Sequence, residues 1–330
     1  MPLSRRRALA AFALAPTIGL SRIAAAQNEA WPNKPLKIVV PSSAGSSIDA
    51  VARIYAEHLR NALKQSVVVE NRPGANQTIG IAAIQSAPAD GYSVLMTSTE
   101  LVRVPLLYPK LRYDPFREFM PLTQVAAPAT YLCVPGALQV SNLKEFIERA
   151  RQSQPPLSIG SHGQGSGAHF YSELLAQATG ITLNHVAYRG EVPLMPDLLS
   201  GRLSSGWLSG NLVNQYVGQG KLKVLGVASM KHRVASMLAV PTFSELGIPG
   251  LDVEGFIGMF VRAGTPVAIV ERLAAELNRI RARQDVRTQV EGYGFEAGGA
   301  ADREKFSLVM RASYDGWGRA ISQAKIKLDE

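Results

Sequence analysis

Two stretches of small residues stand where a strand would give way to a helix, and both suit the capture of an anion. The first runs Pro41, Ser42, Ser43, Ala44, Gly45, Ser46, Ser47, Ile48, Asp49, and the second spans Gly160 to Gly167, followed by Ala168 and His169. A helix start leaves its first backbone N–H groups without intrahelical acceptors, and side chains no larger than Ser let an anion approach them. Gly45 adds backbone conformations that other residues resist. In the second stretch Ser161, Gly165, Ser166, Gly167 and His169 are the candidate contacts. Turnover is poorly supported by the same residues. No Gly-x-Ser-x-Gly elbow occurs in the chain. Ser166 with His169 is the nucleophile and base that a hydrolase reading would need.

Other ligand classes fare worse. Gly163-x-Gly165-x-x-Ala168 matches a relaxed dinucleotide fingerprint, but no acidic residue follows roughly 20 positions on to hold a ribose. The first acid after the loop, Glu173, falls inside the helix. His162 and His169 lack the spacing and the supporting Cys or carboxylate cluster of a zinc site. No metal and no cofactor are expected. Tyr188, Arg189 and Gly190 form a further turn that could offer a hydroxyl and a charge to a ligand.

These loops need a frame of strands and helices. Short apolar runs alternate with amphipathic segments, the pattern of an α/β protein with mostly parallel strands. Strands are predicted at Lys37–Val40, Val67–Val69, Ser93–Met96, Thr130–Val134, Leu157–Ile159, Leu222–Val227 and Phe256–Val261. The first loop feeds a helix whose apolar face carries Val51, Tyr55, Leu59 and Leu63, capped by Ser46 or Ser47 with Asp49 in its first turn. Asn142 with Glu145 reads as a capping box. A helix over 168–178 should end at Gly180. Thr265 is placed as a cap before Pro266, and a long helix over about 302–324 closes the chain.

The totals exclude several classes. At 330 residues, 46% hydrophobic and 18% charged, the chain can bury a core in each of two lobes. Arg5, Arg6 and Arg7 precede an apolar run to about Leu20 and the small residues Ala24–Ala26, the order of a secretory signal cleaved after about Ala26. The net charge of +9 includes four arginines (Arg5, Arg6, Arg7 and Arg22) that would leave with it, giving +5. No Lys/Arg run with interleaved aromatics suggests nucleic acid. Cys133 is the single cysteine and cannot form an internal disulfide.

In order along the chain, the segments Trp31–Pro35, Ile38–Pro41, Gly45–Asp49, Val67–Gly74, Ala89–Tyr92, Leu107–Pro109, Tyr113–Pro115, Gly160–Ser161, Tyr188–Gly190, Asp197–Leu199, Gly220–Leu222, Val240–Thr242, Gly247–Gly250, Ala263–Pro266 and Ile326–Leu328 resemble the substrate-binding receptors of tripartite tricarboxylate transporters, the Bug family. The resemblance covers essentially the whole chain after the leader. It implies a periplasmic Venus flytrap, type II-like, with a signal peptide at 1–26, lobe one at 27–125 plus 251–330, and lobe two at 126–250. It implies a monomer that binds a small organic acid and presents it to a membrane permease of one large and one small subunit, or to a sensor protein. Ser42, Ser43, Ala44, Gly45, Ser46, Ser47 and Asp49 would seat a carboxylate, with Thr97 and Ser98 at the border. Residues 161–169 and 188–190 would form the opposing wall.

The chain departs from the family pattern at several points. Ala44-Gly45-Ser46 replaces a Pro-Gly-Gly run, Asn76 and Gln77 replace glycines, and Ser204 and Leu208 replace acids. Glu100 and Arg103 stand where small and polar residues are common. Loss of acids and gain of Arg103 favour a di- or tricarboxylate or an aromatic acid over an amino acid.

Overall fold

A computed structural model describes residues 31–108, 110, 111, 113–230, 232–324 and 326. The proposed leader lies outside them. The chain opens with β1 (Leu36–Val40), α1 (Ser47–Leu63), β2 (Val67–Asn71), α2 (Thr78–Gln85), β3 (Ser93–Ser98), α3 (Glu100–Leu107), α4 (Pro115–Glu118) and β4 (Phe119–Pro128). It continues through β5 (Thr130–Pro135), α5 (Leu143–Gln152), β6 (Leu157–Ser161), α6 (Gly167–Thr179), β7 (Leu183–Ala187), α7 (Met195–Leu199), β8 (Ser205–Ser209), α8 (Gly210–Val217) and β9 (Leu222–Ala228). It returns as β10 (Ile257–Arg262), α9 (Val267–Ala282), α10 (Gln284–Gly292), β11 (Phe295–Ala297) and α11 (Arg303–Ala324).

The strands assemble into two sheets, one per lobe, ordered β11-β4-β10-β3-β1-β2 and β7-β6-β8-β5-β9. Both are mixed rather than mostly parallel. In the first, β1 pairs in parallel with β2 and β3, whereas β10 runs antiparallel to β3 and β4. In the second, β6 runs parallel to β7 and β8, but β5 runs antiparallel to β8 and β9. The cause is the way the chain changes lobes. A single residue, Ala129, separates β4 in one sheet from β5 in the other, and β10 re-enters the first sheet beside β4 in the opposite direction.

Each lobe is held by apolar packing. Val39, Leu95, Phe256, Phe260, Phe306 and Met310 form one cluster in the first lobe. In the second, Phe146, Phe170, Trp207 and Phe243 pack on one face of the sheet and Tyr131, Cys133, Leu198 and Leu208 on the other. Trp317, Ala320 and Ala324 join the second lobe's cluster, so α11 touches both lobes. Burial pushes the Cys133 thiol well above its ordinary range.

Local rules account for most element ends. Glu145 N donates to Asn142 Oδ1 at 2.9 Å and Ser141 N to Glu145 Oε2 at 2.7 Å, closing the box on α5. Gly180 ends α6 with φ +65. Thr265 does not cap α9: its hydroxyl donates back to Arg262 O at 2.8 Å, and Pro266 occupies the N-cap position. At one point the lobes meet backbone on backbone. A Cβ on Gly294, just before β11, would fall 2.1 Å from Asn211 N, and one on Gly210 would fall 2.7 Å from Gly294 O.

Candidate ligand-binding cleft

The helix starts of α1 and α6 share one hydrogen-bond design. Ser46 caps α1 with its hydroxyl accepting from Asp49 N at 3.3 Å, and Gly45 N returns a bond to Asp49 Oδ2 at 2.8 Å. Ser166 caps α6 with its hydroxyl accepting from His169 N at 3.3 Å, and Gly165 N donates to His169 Nδ1 at 3.2 Å. Ser46 N reaches Ser43 O and Ser166 N reaches Gly163 O, both at 3.2 Å. The two caps have nearly equal backbone angles, φ −69, ψ 160 and φ −72, ψ 161. A carboxylate does in one lobe what a neutral imidazole does in the other.

The first loop is tied from behind. Asp49, only 2% exposed, also accepts from Arg53 Nε at 3.0 Å and from Asn71 Nδ2 at 2.9 Å. Asn71 Nδ2 lies 3.1 Å from Ser42 O as well, so β2 grips both ends of the loop. Burial pushes the Asp49 carboxyl up, but the bonds from Arg53, Gly45 and Asn71 outweigh it and hold the carboxyl below its usual range. Gly45, at φ +80, turns the chain where an L side chain would be strained. Its N–H is spent on Asp49, which leaves the first-turn N–H groups of Ser47 and Ile48 as those without an intrahelical acceptor.

The second loop rests on a stacked pair of histidines, His169 buried and His185 half-buried. The rings of His169 and His185 stack with centroids 3.8 Å apart and planes 3° from parallel. His185 Nε2 lies 2.7 Å from Ser161 Oγ. Burial lowers both imidazoles, His185 to about 4 with His169 adding to the effect.

Between the two helix starts lies a cavity of about 590 Å³. Of the residues anticipated from sequence, Ser42, Ser43, Ala44, Gly45, Ser46, Ser47, Ser98, Gly167, Arg189 and Gly190 line it. Asp49, Thr97, Ser161, Gly165, Ser166, His169 and Tyr188 are outside its wall. Asp49 and Thr97 reach the wall through bonds to Gly45 and Gln77, whereas Tyr188 is bonded away from it. Thr97 Oγ1 donates to Gln77 Oε1 at 2.6 Å, and the Tyr188 hydroxyl donates to Asp197 Oδ2 at 2.7 Å. Burial, then that bond to Asp197, raises the Tyr188 hydroxyl to about 12.

Residues that sequence reasoning did not place in the wall carry much of its polarity. Gln77 sits at the end of a turn in which Ala75, Asn76 and Gln77 all have positive φ, at 46, 49 and 72. That turn sets the Gln77 amide 3.0 Å from Ser98 Oγ as well as against Thr97. Arg103 is buried, with Nη2 2.6 Å from Glu100 Oε1 and its guanidinium 4.7 Å from the Trp317 ring centroid. Ser98 Oγ donates to the other Glu100 oxygen. Burial raises the Glu100 carboxyl, and the Arg103 charge with the Ser98 bond reverses the shift to below its usual range. On the opposite wall Glu191 accepts from Ser209 N at 3.1 Å and from the Ser209 hydroxyl, with His162 Nδ1 3.9 Å away. The Tyr171 hydroxyl shares a 2.8 Å bond with Ser229 Oγ. The Ser209–Asn211 turn is the one signal that could have pointed to the far wall, had β8 been read as a strand. Among the described residues no group of three His, Cys, Asp or Glu side chains is arranged to hold a metal ion.

Residues 51–324 match the family model described as the tripartite tricarboxylate transporter family receptor. The chain belongs to this receptor family. It is 33% identical to a UPF0065 protein of a Pseudomonas species, encoded in the tcbD–tcbE intergenic region, over 99% of this chain and 97% of the relative. The periplasmic binding protein BugD superposes with a TM-score of 0.78 at 29% identity, over 90% of this chain and 99% of BugD. The R. palustris protein Rpa4515, solved with adipate, superposes with a TM-score of 0.80 at 27% identity, over 90% of this chain and 99% of its own. The family is one of binding receptors, and its two-lobed α/β fold is the fold described above. No described helix is long and apolar enough to cross a membrane.

Proposed function

We propose that this receptor captures a small organic acid in the periplasm, with one carboxylate seated on the α1 start, and hands it to a membrane permease of one large and one small subunit. One observation carries the reading: two helix starts with the same cap, Gly45–Ser46–Asp49 and Gly165–Ser166–His169, adjoin a single cavity. The N–H groups of Ser47 and Ile48, with the hydroxyls of Ser42, Ser43 and Ser47, supply neutral donors to an anion. The adipate bound to Rpa4515, at 27% identity, supports an acid of that class.

The proposal includes export as a monomer, with residues 1–26 removed. It includes lobes built from 27–125 plus 251–330 and from 126–250, with the chain crossing between them near the end of β4 and again before β10. No catalytic role is assigned. Ser166 Oγ accepts from the His169 backbone, and that ring's Nδ1 is occupied by Gly165, so His169 is not aimed at Ser166 as a base. Ser161 and His185 form a hydroxyl–imidazole pair, but Ser161 is fully buried outside the cavity wall.

Thermal shift against a library of organic acids tests the reading. A ligand at a hundredfold excess over Kd stabilises by about 2.7 kcal/mol. Gly45→Val, which puts a branched side chain at φ +80 on the seat, should abolish that shift while the far-UV spectrum persists. Undiminished affinity in Gly45→Val would refute the α1 seat. The mass of the exported protein checks cleavage after Ala26.

A further inference from the structure

We infer that the acid this cleft selects carries one carboxylate on an apolar body about the size of a ring, rather than a second or third carboxylate. The inference rests on the reading of the α1 start as a carboxylate seat and concerns the rest of the ligand.

Charge is the first argument. The ionisable side chains in the wall, apart from His162 and Tyr171, are Glu100, Arg103, Arg189 and Glu191, two of each sign. Arg103 gives no free positive charge, because it is buried against Glu100 at 2.6 Å and stacked on Trp317. Arg103 is therefore not a free seat for a further carboxylate, because Glu100 already occupies it. Arg189 is exposed, where solvent and salt screen it. Glu191 holds Ser209 on the far wall with a negative charge facing the same space. A carboxylate seated on α1 meets neutral N–H and hydroxyl groups, but a second one would meet the Glu191 carboxylate, with the Arg103 charge already taken up by Glu100. Like charges in a partly desolvated space repel more strongly than in water.

The apolar lining is the second argument, and it is independent of the first. Tyr171, Trp317, Phe295, Leu212, Ile257 and Val192 face the cavity between the two helix starts. Val192 is 76% exposed, an aliphatic side chain held at the mouth of the cleft with no protein cover. A hydrocarbon body would cover these surfaces and gain the free energy of removing them from water, which a second carboxylate would forfeit through its own desolvation. The volume of about 590 Å³ falls within the range of small-molecule pockets.

Isothermal titration calorimetry on the purified protein with benzoate, cyclohexanecarboxylate, adipate and citrate separates the possibilities. Each mono-acid should bind at least about tenfold more tightly than adipate, and citrate should be weaker than adipate. Adipate or citrate binding more tightly than both mono-acids would overturn the inference while leaving a carboxylate receptor in place. No heat and no thermal shift with any of the four acids would remove the receptor reading itself. Glu191→Gln keeps an oxygen acceptor for Ser209 and deletes the charge. It should tighten adipate by about threefold or more and leave benzoate nearly unchanged. Adipate affinity unmoved by Glu191→Gln would sink the charge argument.

Discussion

Gly165 donates its backbone N–H to Nδ1 of His169 at 3.2 Å, so the second loop depends on that nitrogen staying unprotonated. Asp49 does the same for Gly45 with a carboxylate that accepts over the whole working pH range. The two lobes are thus built alike but respond to acid differently.

The first prediction follows from the sign of the histidine shifts. Burial lowers the folded-state values of His169 and His185, the latter to about 4. Below the unfolded value of roughly 6.5, the unfolded chain takes up protons that the folded protein refuses. Their contribution is complete above that pH and declines as the pH falls from there towards 4. Urea midpoints at pH 7.5, 6 and 5 should fall with pH. His169→Asn retains a side-chain acceptor for Gly165, and its stability should fall less steeply. An identical slope in the variant would show that the ring is not the sensitive group.

Asp49→Ala removes three bonds at once, from Gly45, Arg53 and Asn71. Leaving buried donors unpaired costs about 1–3 kcal/mol. Affinity for any acid that binds the wild type should fall with it, because the loop loses its brace. Calorimetry and denaturant titration on the same sample check both effects.

Arg103→Met leaves the half-buried Glu100 carboxylate at the cavity wall without its cation. Breaking one side of a fully buried pair costs about 3–5 kcal/mol, so the loss here should be smaller, and replacing both partners should be milder still. The double variant Arg103→Met with Glu100→Gln should therefore be more stable than Arg103→Met alone. Urea unfolding of the four members of this cycle measures the coupling.

Ala75 occupies φ +46, where a Cβ crowds the backbone. Ala75→Gly should raise stability by about 0.5–1 kcal/mol, or roughly 1–4 °C in Tm. Calorimetric scanning detects a shift of that size, and a lower Tm would mean the turn is not strained.

Local rules were the part of the design most legible from residues alone. The α1 cap, the Asn142–Glu145 box and the Gly180 stop are decided within a few positions, and each appeared where expected. The strands that escaped notice carry residues unlike a buried strand. β8 is Ser-Gly-Trp-Leu-Ser, β7 holds Asn184 and His185, and β4 contains Pro121 and Pro128. They exist because neighbouring strands supply their pairing, which no single segment records. Without β8, the Ser209 turn had no element to stand on, and nothing singled out Glu191. The likeness between the Asp49 and His169 caps was hidden because different side chains perform one geometric task.

The contact of Gly210 with Gly294 sets a limit on how the receptor can move. Peptide groups pressed together there leave nothing compressible between the lobes, so that point can serve as a bearing but not as a gap that narrows. A methyl group added at either glycine would act as a wedge and jam the jaws ajar.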